Sequence, residues 1–280
     1  MEAYTAFAKV YDKFMTDVPY EKWADFIDFL IREVGISKPN RGAADPLESE
    51  RNLVLDIGCG TGVLTEMMYD KGYDLIGVDL SQEMLDVAVS SRNGRDILYI
   101  CQDMSELDLY STVGTVYSTC DSINYLIDDE QIENCFRKVA NYLYPGGLFI
   151  FDVNTVHKYR DVIGEKTIAE TDEDSSFIWD NYYNELEKIN EYDLTLFIKE
   201  NGTNLYKKEV ETHFQRGFEA TDIMDFVARS GLELLAMVDE AVVDTEGVCS
   251  KIVDDINRGY ASTMGVNPDT ERIIVIARKR

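Results

Sequence analysis

The residues with the clearest chemical potential form one run, Leu53-Val54-Leu55-Asp56-Ile57-Gly58-Cys59-Gly60-Thr61-Gly62, an apolar stretch ending in closely spaced glycines. Glycine adopts positive φ without a Cβ penalty and lets backbone amides come close to a ligand. Several nucleotide-binding designs share a G-x-G-x-G turn, so the neighbouring residues must decide what it holds. A dinucleotide site places a third small residue where Val63 stands, for close packing beside a pyrophosphate, and this disfavours NAD and FAD.

Two further carboxylates narrow the choice. Asp79 closes the run Leu75-Ile76-Gly77-Val78-Asp79, where an acid accepts both ribose hydroxyls in a bidentate way. Asp103, in Cys101-Gln102-Asp103-Met104, is placed to accept from an adenine amino group, with Met104 and Leu80 or Met84 against the ring faces. S-adenosylmethionine (SAM) needs these contacts, has no phosphate, and carries a sulfonium and an ammonium that acidic surroundings attract. Competing roles stay open. Asp56 can brace the turn through hydrogen bonds to backbone amides, Asp79 and Asp103 can cap the segments that follow, and Tyr11 and Trp23, at helical spacing, can be core.

For these groups to converge, something must carry each to one edge. From Leu53 onward, short apolar runs (53–57, 75–79, 97–100, 114–118 and 148–152) alternate with amphipathic stretches at 62–71, 81–92 and 129–143. Apolar runs of this length between helices predict strands buried on both faces, hence a parallel sheet wound by right-handed crossovers. Ahead of it, Tyr4 to Val34 reads as two helices broken at Asp17-Val18-Pro19, and Gly35 to Asn52 as a polar, mobile linker. Between Asn154 and Arg216 the pattern turns to β-rich polar and aromatic runs (177–183, 192–198 and 205–214) with a turn at Asn201-Gly202, which predicts an inserted antiparallel cap. A helix over 221–230 and strands near 234–238 and 272–277 complete the chain.

The constellation resembles the class I SAM-dependent methyltransferase family over about Leu53 to Val153. Its first motif is Asp56-Ile57-Gly58-Cys59-Gly60-Thr61-Gly62 and its second is Asp79; Cys101-Gln102-Asp103-Met104 and Leu143-Tyr144-Pro145-Gly146-Gly147 follow. The resemblance implies a doubly wound, seven-stranded Rossmann-like α/β sheet whose last strand is inserted antiparallel. It also implies Gly58 and Gly60 against the methionyl part, Asp79 at the ribose and Asp103 at adenine, with Cys59, Leu80, Met84, Gln102, Met104 and Cys120 completing the cofactor set. The opening Phe7-Ala8-Lys9-Val10-Tyr11-Asp12 is similar to the first helix of bacterial small-molecule members, in which a tyrosine at the position of Tyr11 covers the cofactor. Among those, the chain is most similar to members whose acceptor is unassigned.

Methyl transfer from a sulfonium is an in-line displacement, so alignment matters most, and only a hydroxyl or carbon acid requires a base. The segment Thr119-Cys120-Asp121-Ser122-Ile123-Asn124-Tyr125 departs from the motifs of enzymes that act on nucleobase amines or cytosine C5. Ser122, Asn124 and Tyr125 are candidate acceptor-lining groups, with a helix-entry role for Asp121 and Ser122 as the alternative. If alternation holds in Glu211-Thr212-His213-Phe214-Gln215-Arg216, His213 and Gln215 share a face. His213 is then the catalytic candidate, as base or orienting donor, and Gln215 and Arg216 are substrate-binding candidates, Arg216 as a carboxylate anchor. His157 is a weaker catalytic candidate, and the acidic run Glu170 to Asp174 reads as a solvated turn.

Charge and composition exclude other classes. Against 27 Lys and Arg stand 53 Asp and Glu, a net of −26 that repels nucleic acid and anionic membranes. No apolar run approaches the roughly 18 residues of a membrane span and no basic-then-apolar leader opens the chain, so a cytoplasmic protein is expected. Cys59, Cys101, Cys120, Cys135 and Cys249 are scattered with no C-x-x-C, and with only two histidines they predict free thiols and no metal site.

The expected organisation is an N-terminal helical lid and linker (1–52), a SAM-binding α/β domain (53–154 and 217–280) and a β-rich cap (155–216). The expected reaction transfers the SAM methyl to a small-molecule acceptor, leaving S-adenosylhomocysteine. The competing functions are an RNA or protein methyltransferase on the same fold, a SAM-binding protein without turnover, and an NAD oxidoreductase.

Overall fold

In the computed structural model, residues 7–42, 45–200, 202–243 and 247–280 are described. Tyr4, where the first helical run begins, and Asn201 of the Asn-Gly turn lie outside them. A 3-10 turn at Phe7–Lys9 leads to α1 (Tyr11–Phe14), α2 (Tyr20–Val34) and α3 (Pro46–Asn52). The α/β alternation follows: β1 (Leu53–Ile57), α4 (Val63–Asp70), β2 (Asp74–Asp79), α5 (Gln82–Ser91), β3 (Leu98–Cys101), β4 (Val113–Ser118), α6 (Asp129–Tyr142) and β5 (Leu143–Asn154). Next come β6 (Thr167–Thr171), β7 (Ser175–Asn184), β8 (Ile189–Lys199) and β9 (Tyr206–Arg216), then α7 (Ala220–Arg229), β10 (Leu232–Asp239), α8 (Val248–Asn257), β11 (Ser262–Met264) and β12 (Arg272–Lys279).

The main sheet runs β11-β10-β12-β5-β4-β1-β2-β3, with β12 antiparallel to both β5 and β10 and its other pairings parallel. Apolar side chains of β1 explain the two-sided burial: Leu55 and Ile57 pack with α6 and α7 on one face, Val54 with α2, α4 and α8 on the other. The helices cover the sheet because their apolar residues recur every three or four positions, as with Trp23, Phe26, Ile27, Leu30 and Ile31 of α2. The doubly wound α/β fold read from the sequence is therefore present, with eight strands where seven were expected. The eighth, β11, pairs in parallel with β10 over three residues, too short for any periodicity to reveal.

A second, four-stranded antiparallel sheet, β6-β7-β8-β9, is joined through β8 and β9 to the turn that follows β4. Its inner face carries Phe177, Tyr192, Leu194 and Leu196, and Val10, Phe7 and Phe14 of the N-terminal segment fill it. Two local expectations need correction. Residues 46–52 form a helix, not a mobile linker: the Asp45 side chain accepts from the amides of Leu47 and Glu48, and Pro46 occupies the first turn, where its missing N–H is harmless. This helix is packed, since a Cβ on Gly114 of β4 would lie 1.7 Å from the Arg51 carbonyl. The cap also includes a strand outside the runs read from the sequence, β6, which pairs with β7 although its side chains are exposed and show no apolar alternation. Among the described residues, no helix is long and apolar enough to cross a membrane.

Candidate functional site

At the end of β1 the chain turns through left-handed backbone at Gly58 (φ 73°) and Gly60 (φ 55°) before α4. The amides of Gly58 and Cys59 both donate to the Val78 carbonyl, at 2.7 and 3.0 Å, which ties the turn to β2. A Cβ on Gly58 would lie 2.5 Å from Ser122, so close approach of two chain segments demands glycine there. At Gly60 a Cβ would meet nothing within 4 Å, so this residue faces open space: a cradle for a ligand.

Three carboxylates surround the turn, each braced differently. Asp56 is buried and accepts from the Thr65 hydroxyl at 2.5 Å. Burial pushes its carboxyl up to about 7, with the Thr65 and Tyr117 hydroxyls drawing it back. Asp79 accepts from the amides of Gly60 and Ser81, both at 2.8 Å, and burial raises its carboxyl against these hydrogen bonds. Asp103 accepts from the amide and hydroxyl of Ser105, both at 2.7 Å. Asp79 and Asp103 do the local capping that the sequence left open as an alternative, Asp56 is braced by a side-chain hydroxyl and not by the backbone amides of the turn, and all three also face one cavity. A carboxylate oxygen bonded to one amide retains a second lone pair, so capping and ligand contact are compatible.

That cavity has a volume of about 520 Å³, within the range of small-ligand sites. Every residue assigned from the sequence to the cofactor reaches its wall: Tyr11, Asp56, Gly58, Cys59, Gly60, Asp79, Leu80, Met84, Gln102, Asp103, Met104 and Cys120. Ser122 and Tyr125 join them. Sequence reasoning missed Tyr20, Thr119 and Gln131, which line it as well. Tyr20 sits at the start of α2, where only its place directly after Pro19 marks it; burial, then Cys120, pushes its phenol up. No Lys, Arg or His is among the described lining residues, while Asp56, Asp79, Glu83 and Asp103 are. Such a wall suits a ligand that carries hydroxyls and positive charge and repels a diphosphate, so the groups present fit SAM.

Four acceptor-side candidates lie behind the wall. Asn124 is fully buried; its amide donates to the carbonyls of Asn154 (3.0 Å) and Arg216 (2.6 Å) and its Oδ1 accepts from the Asn154 amide, so it joins the turn after β4 to β5 and β9. Gln215 donates to Asp121 at 2.6 Å and accepts from Tyr159 at 3.0 Å. Arg216 does not anchor a substrate carboxylate from the wall: it pairs with Asp129 at 2.6 Å and lies over Phe218 and Phe226. The one-residue alternation sends it to the face opposite His213 and Gln215. His213 is buried behind Tyr125: its Nδ1 is 3.1 Å from the Tyr125 hydroxyl, its Nε2 is 3.3 Å from Glu211, and its ring stacks on Tyr192 at 4.8 Å. His157 pairs with Asp161 outside the cavity, Trp23 is core and lies over Arg272, and residues 170–174 are exposed.

The turn that brings Cys120 and Ser122 to the wall is itself held from below. Cys120 (φ 58°) and Asp121 (φ 54°) are non-glycine residues in left-handed conformation, a strained arrangement. Arg272 reaches Asp121 at 2.8 Å and also pairs with Asp152, which accepts from the Asp121 amide at 3.1 Å. Burial works against the Arg272 cation, and the two carboxylates outweigh it and hold it charged. Lys158 lies beside this cluster with its amine pushed down by burial and then by Arg272.

With this geometry in view, comparison with known proteins is direct. A family described as "Methyltransferase domain" matches residues 54–147. The chain is 32% identical over 233 residues to the Bacillus subtilis (strain 168) protein YqeM, named as a methyltransferase, covering 82% of this chain and 87% of that one. It is similar to the crystal structure of an S-adenosylmethionine-dependent methyltransferase from Clostridium acetobutylicum, with TM-score 0.77, 28% identity and 99% of each chain covered. It shares its fold with SAM-bound CalS10, an amino pentose methyltransferase from Micromonospora echinaspora (TM-score 0.64, 15% identity, 100% and 99% covered).

Proposed function

The chain belongs to the class I SAM-dependent methyltransferase family, and from that premise we propose that its methyl acceptor is a small, neutral or cationic molecule held between the glycine turn and the four-stranded sheet. The observation that carries this is the cavity wall: four carboxylates, several hydroxyls and aromatic rings, and no cationic side chain among its described residues. A phosphorylated or nucleic-acid acceptor would meet repulsion there and across a surface whose net charge is −26. An amine on a sugar, of the kind named for CalS10, falls within the proposed class.

SAM, when bound, supplies an electrophilic methyl group on a sulfonium. In this reading Gly58 and Gly60 bring backbone against its methionyl part, Asp79 takes the ribose hydroxyls, and Asp103 takes the adenine amine with Leu80, Met84 and Met104 at the ring. Tyr11 and Tyr20 cover the bound cofactor. The N-terminal segment bearing Tyr11 and residues 155–216 act as lid and cap on the α/β domain, excluding water from the methyl-bearing end. Calorimetric titration with SAM, S-adenosylhomocysteine and NAD is expected to give heat with the first two only. Incubation of a whole-cell extract with methyl-labelled SAM is expected to put label into a low-molecular-mass product that cation exchange retains or neutral chromatography recovers. Label appearing only in RNA or protein would overturn the small-acceptor reading.

A further inference from the structure

The lining residue Tyr125 is backed by a line of buried groups outside the proposed SAM contacts. Its hydroxyl is 2.7 Å from the Tyr192 hydroxyl and 3.1 Å from His213 Nδ1, and His213 Nε2 is 3.3 Å from Glu211 Oε2, an ion-pair distance without hydrogen-bond alignment. The His213 side chain has no solvent exposure and that of Glu211 has 4%. The imidazole stacks on the Tyr192 ring, 5° from parallel with centroids 4.8 Å apart, so it cannot swing away without breaking that stack. The same Glu211 carboxylate accepts from the Phe7 amide at 3.1 Å, which joins it to the segment bearing Tyr11. From the cavity inward the order is phenol, imidazole, carboxylate.

The charge of a buried carboxylate beside one ring nitrogen favours the proton on that nitrogen and leaves the lone pair on the other. Here that leaves Nδ1 to accept from the Tyr125 hydroxyl. We propose that Tyr125 is the proton acceptor for the methyl-receiving group, with His213 and Glu211 as positioning residues that draw the phenol proton inward. In the step, an acceptor X–H gives its proton to Tyr125 Oη as the X–C bond forms and the C–S bond breaks, its electron pair staying on sulfur. The phenol's own proton passes to His213 Nδ1, and the imidazolium is paired with the Glu211 carboxylate. No oxidant or further reactant is needed, and the proton returns to water after release. The consequence is chemical selection: the receiving atom carries a hydrogen, as in a hydroxyl or a primary or secondary amine, and a tertiary amine or thioether gains nothing from this machinery. This rests on the small-acceptor reading of the same cavity.

The chain has two histidines, so ¹⁵N-imidazole NMR of the full-length His157→Asn protein reports His213 alone and needs no acceptor. The expected spectrum is a neutral ring protonated at Nε2 and bare at Nδ1, and Glu211→Gln is expected to move the ring toward the Nδ1–H form. A wild-type Nδ1–H tautomer would overturn the proposal whether or not an acceptor is found. With the label-accepting extract fraction as substrate, Tyr125→Phe and Glu211→Gln are expected to lower kcat by about a hundredfold. Calorimetric affinity for S-adenosylhomocysteine should change less than about threefold, a split that loss of packing would not give. His213→Asn places an amide near the Nδ1 position and restores the hydrogen bond to Tyr125 without restoring the relay. Full activity in that variant would reduce His213 to a packing role and refute the assignment.

Discussion

Around the glycine turn, each ligand-facing group is held by near neighbours: Asp103 by Ser105, Asp79 by Ser81 and by Gly60 on the adjoining strand end, and the turn itself by Val78. At the acceptor end the supports come from across the chain. Asp121 meets Gln215 and Arg272, Asn124 meets Arg216, and Tyr125 meets Tyr192 and His213. The first region is preorganised by backbone conformation, the second by buried side chains that hold one another. Backbone-coded geometry tolerates changes of partner but not of φ. Side-chain networks tolerate neither the loss of a member nor an unpaired charge.

The contrast can be broken most severely at Arg272. Arg272→Met is expected to destabilise the protein by about 3–5 kcal/mol in urea unfolding, since Asp121 and Asp152 would be left as uncompensated, largely buried carboxylates. A loss below about 1 kcal/mol would show that the strained turn supports itself. Gly58→Ala tests the other region. Left-handed strain and the 2.5 Å approach to Ser122 together are expected to cost about 1–3 kcal/mol and to reduce SAM affinity at least about tenfold. Adding Ser122→Gly separates the causes: recovery would assign the defect to collision, persistence to φ.

Asp56 gives a pH-dependent difference between the regions. Its folded-state value of about 7 lies above the ordinary carboxylate value, so the folded protein retains a proton that the unfolded chain has lost. The stabilisation this provides is full below about pH 4 and is lost as pH rises through about 7. Relative to Asp56→Asn, the cofactor-free wild type is therefore expected to lose up to about 4 kcal/mol between those limits in denaturation at a series of pH values. Parallel curves would show that Asp56 is already ionised. The smallest effect belongs to the surface: Arg229→Ala removes an exposed pair with Glu133 and should shift stability by less than about 0.5 kcal/mol.

Much of the fold was legible because it is periodic. The strand over 53–57 and the helix at 129–142 follow from apolar spacing and from Tyr144-Pro145-Gly146-Gly147 downstream. The misses share one cause, the absence of a side-chain period: β11 is three residues long, β6 is exposed throughout, and the signal for α3 is a cap, Asp45-Pro46, not an apolar face. At the site, the cofactor candidates reached the cavity together, whereas Asn124, Gln215, Arg216 and His213 did not reach its wall.

Sequence alone determined where the chain must bend, which strand ends carry acids and where helices alternate with strands, because φ preference and burial period are properties of adjacent residues. Tertiary structure decided which of Tyr125, His213 and Arg216 touches the cavity and which stands behind it. A polar side chain's partner is chosen by distance in space, and residues such as Asp121 and Arg272, held 2.8 Å apart, are separated along the chain by 151 positions.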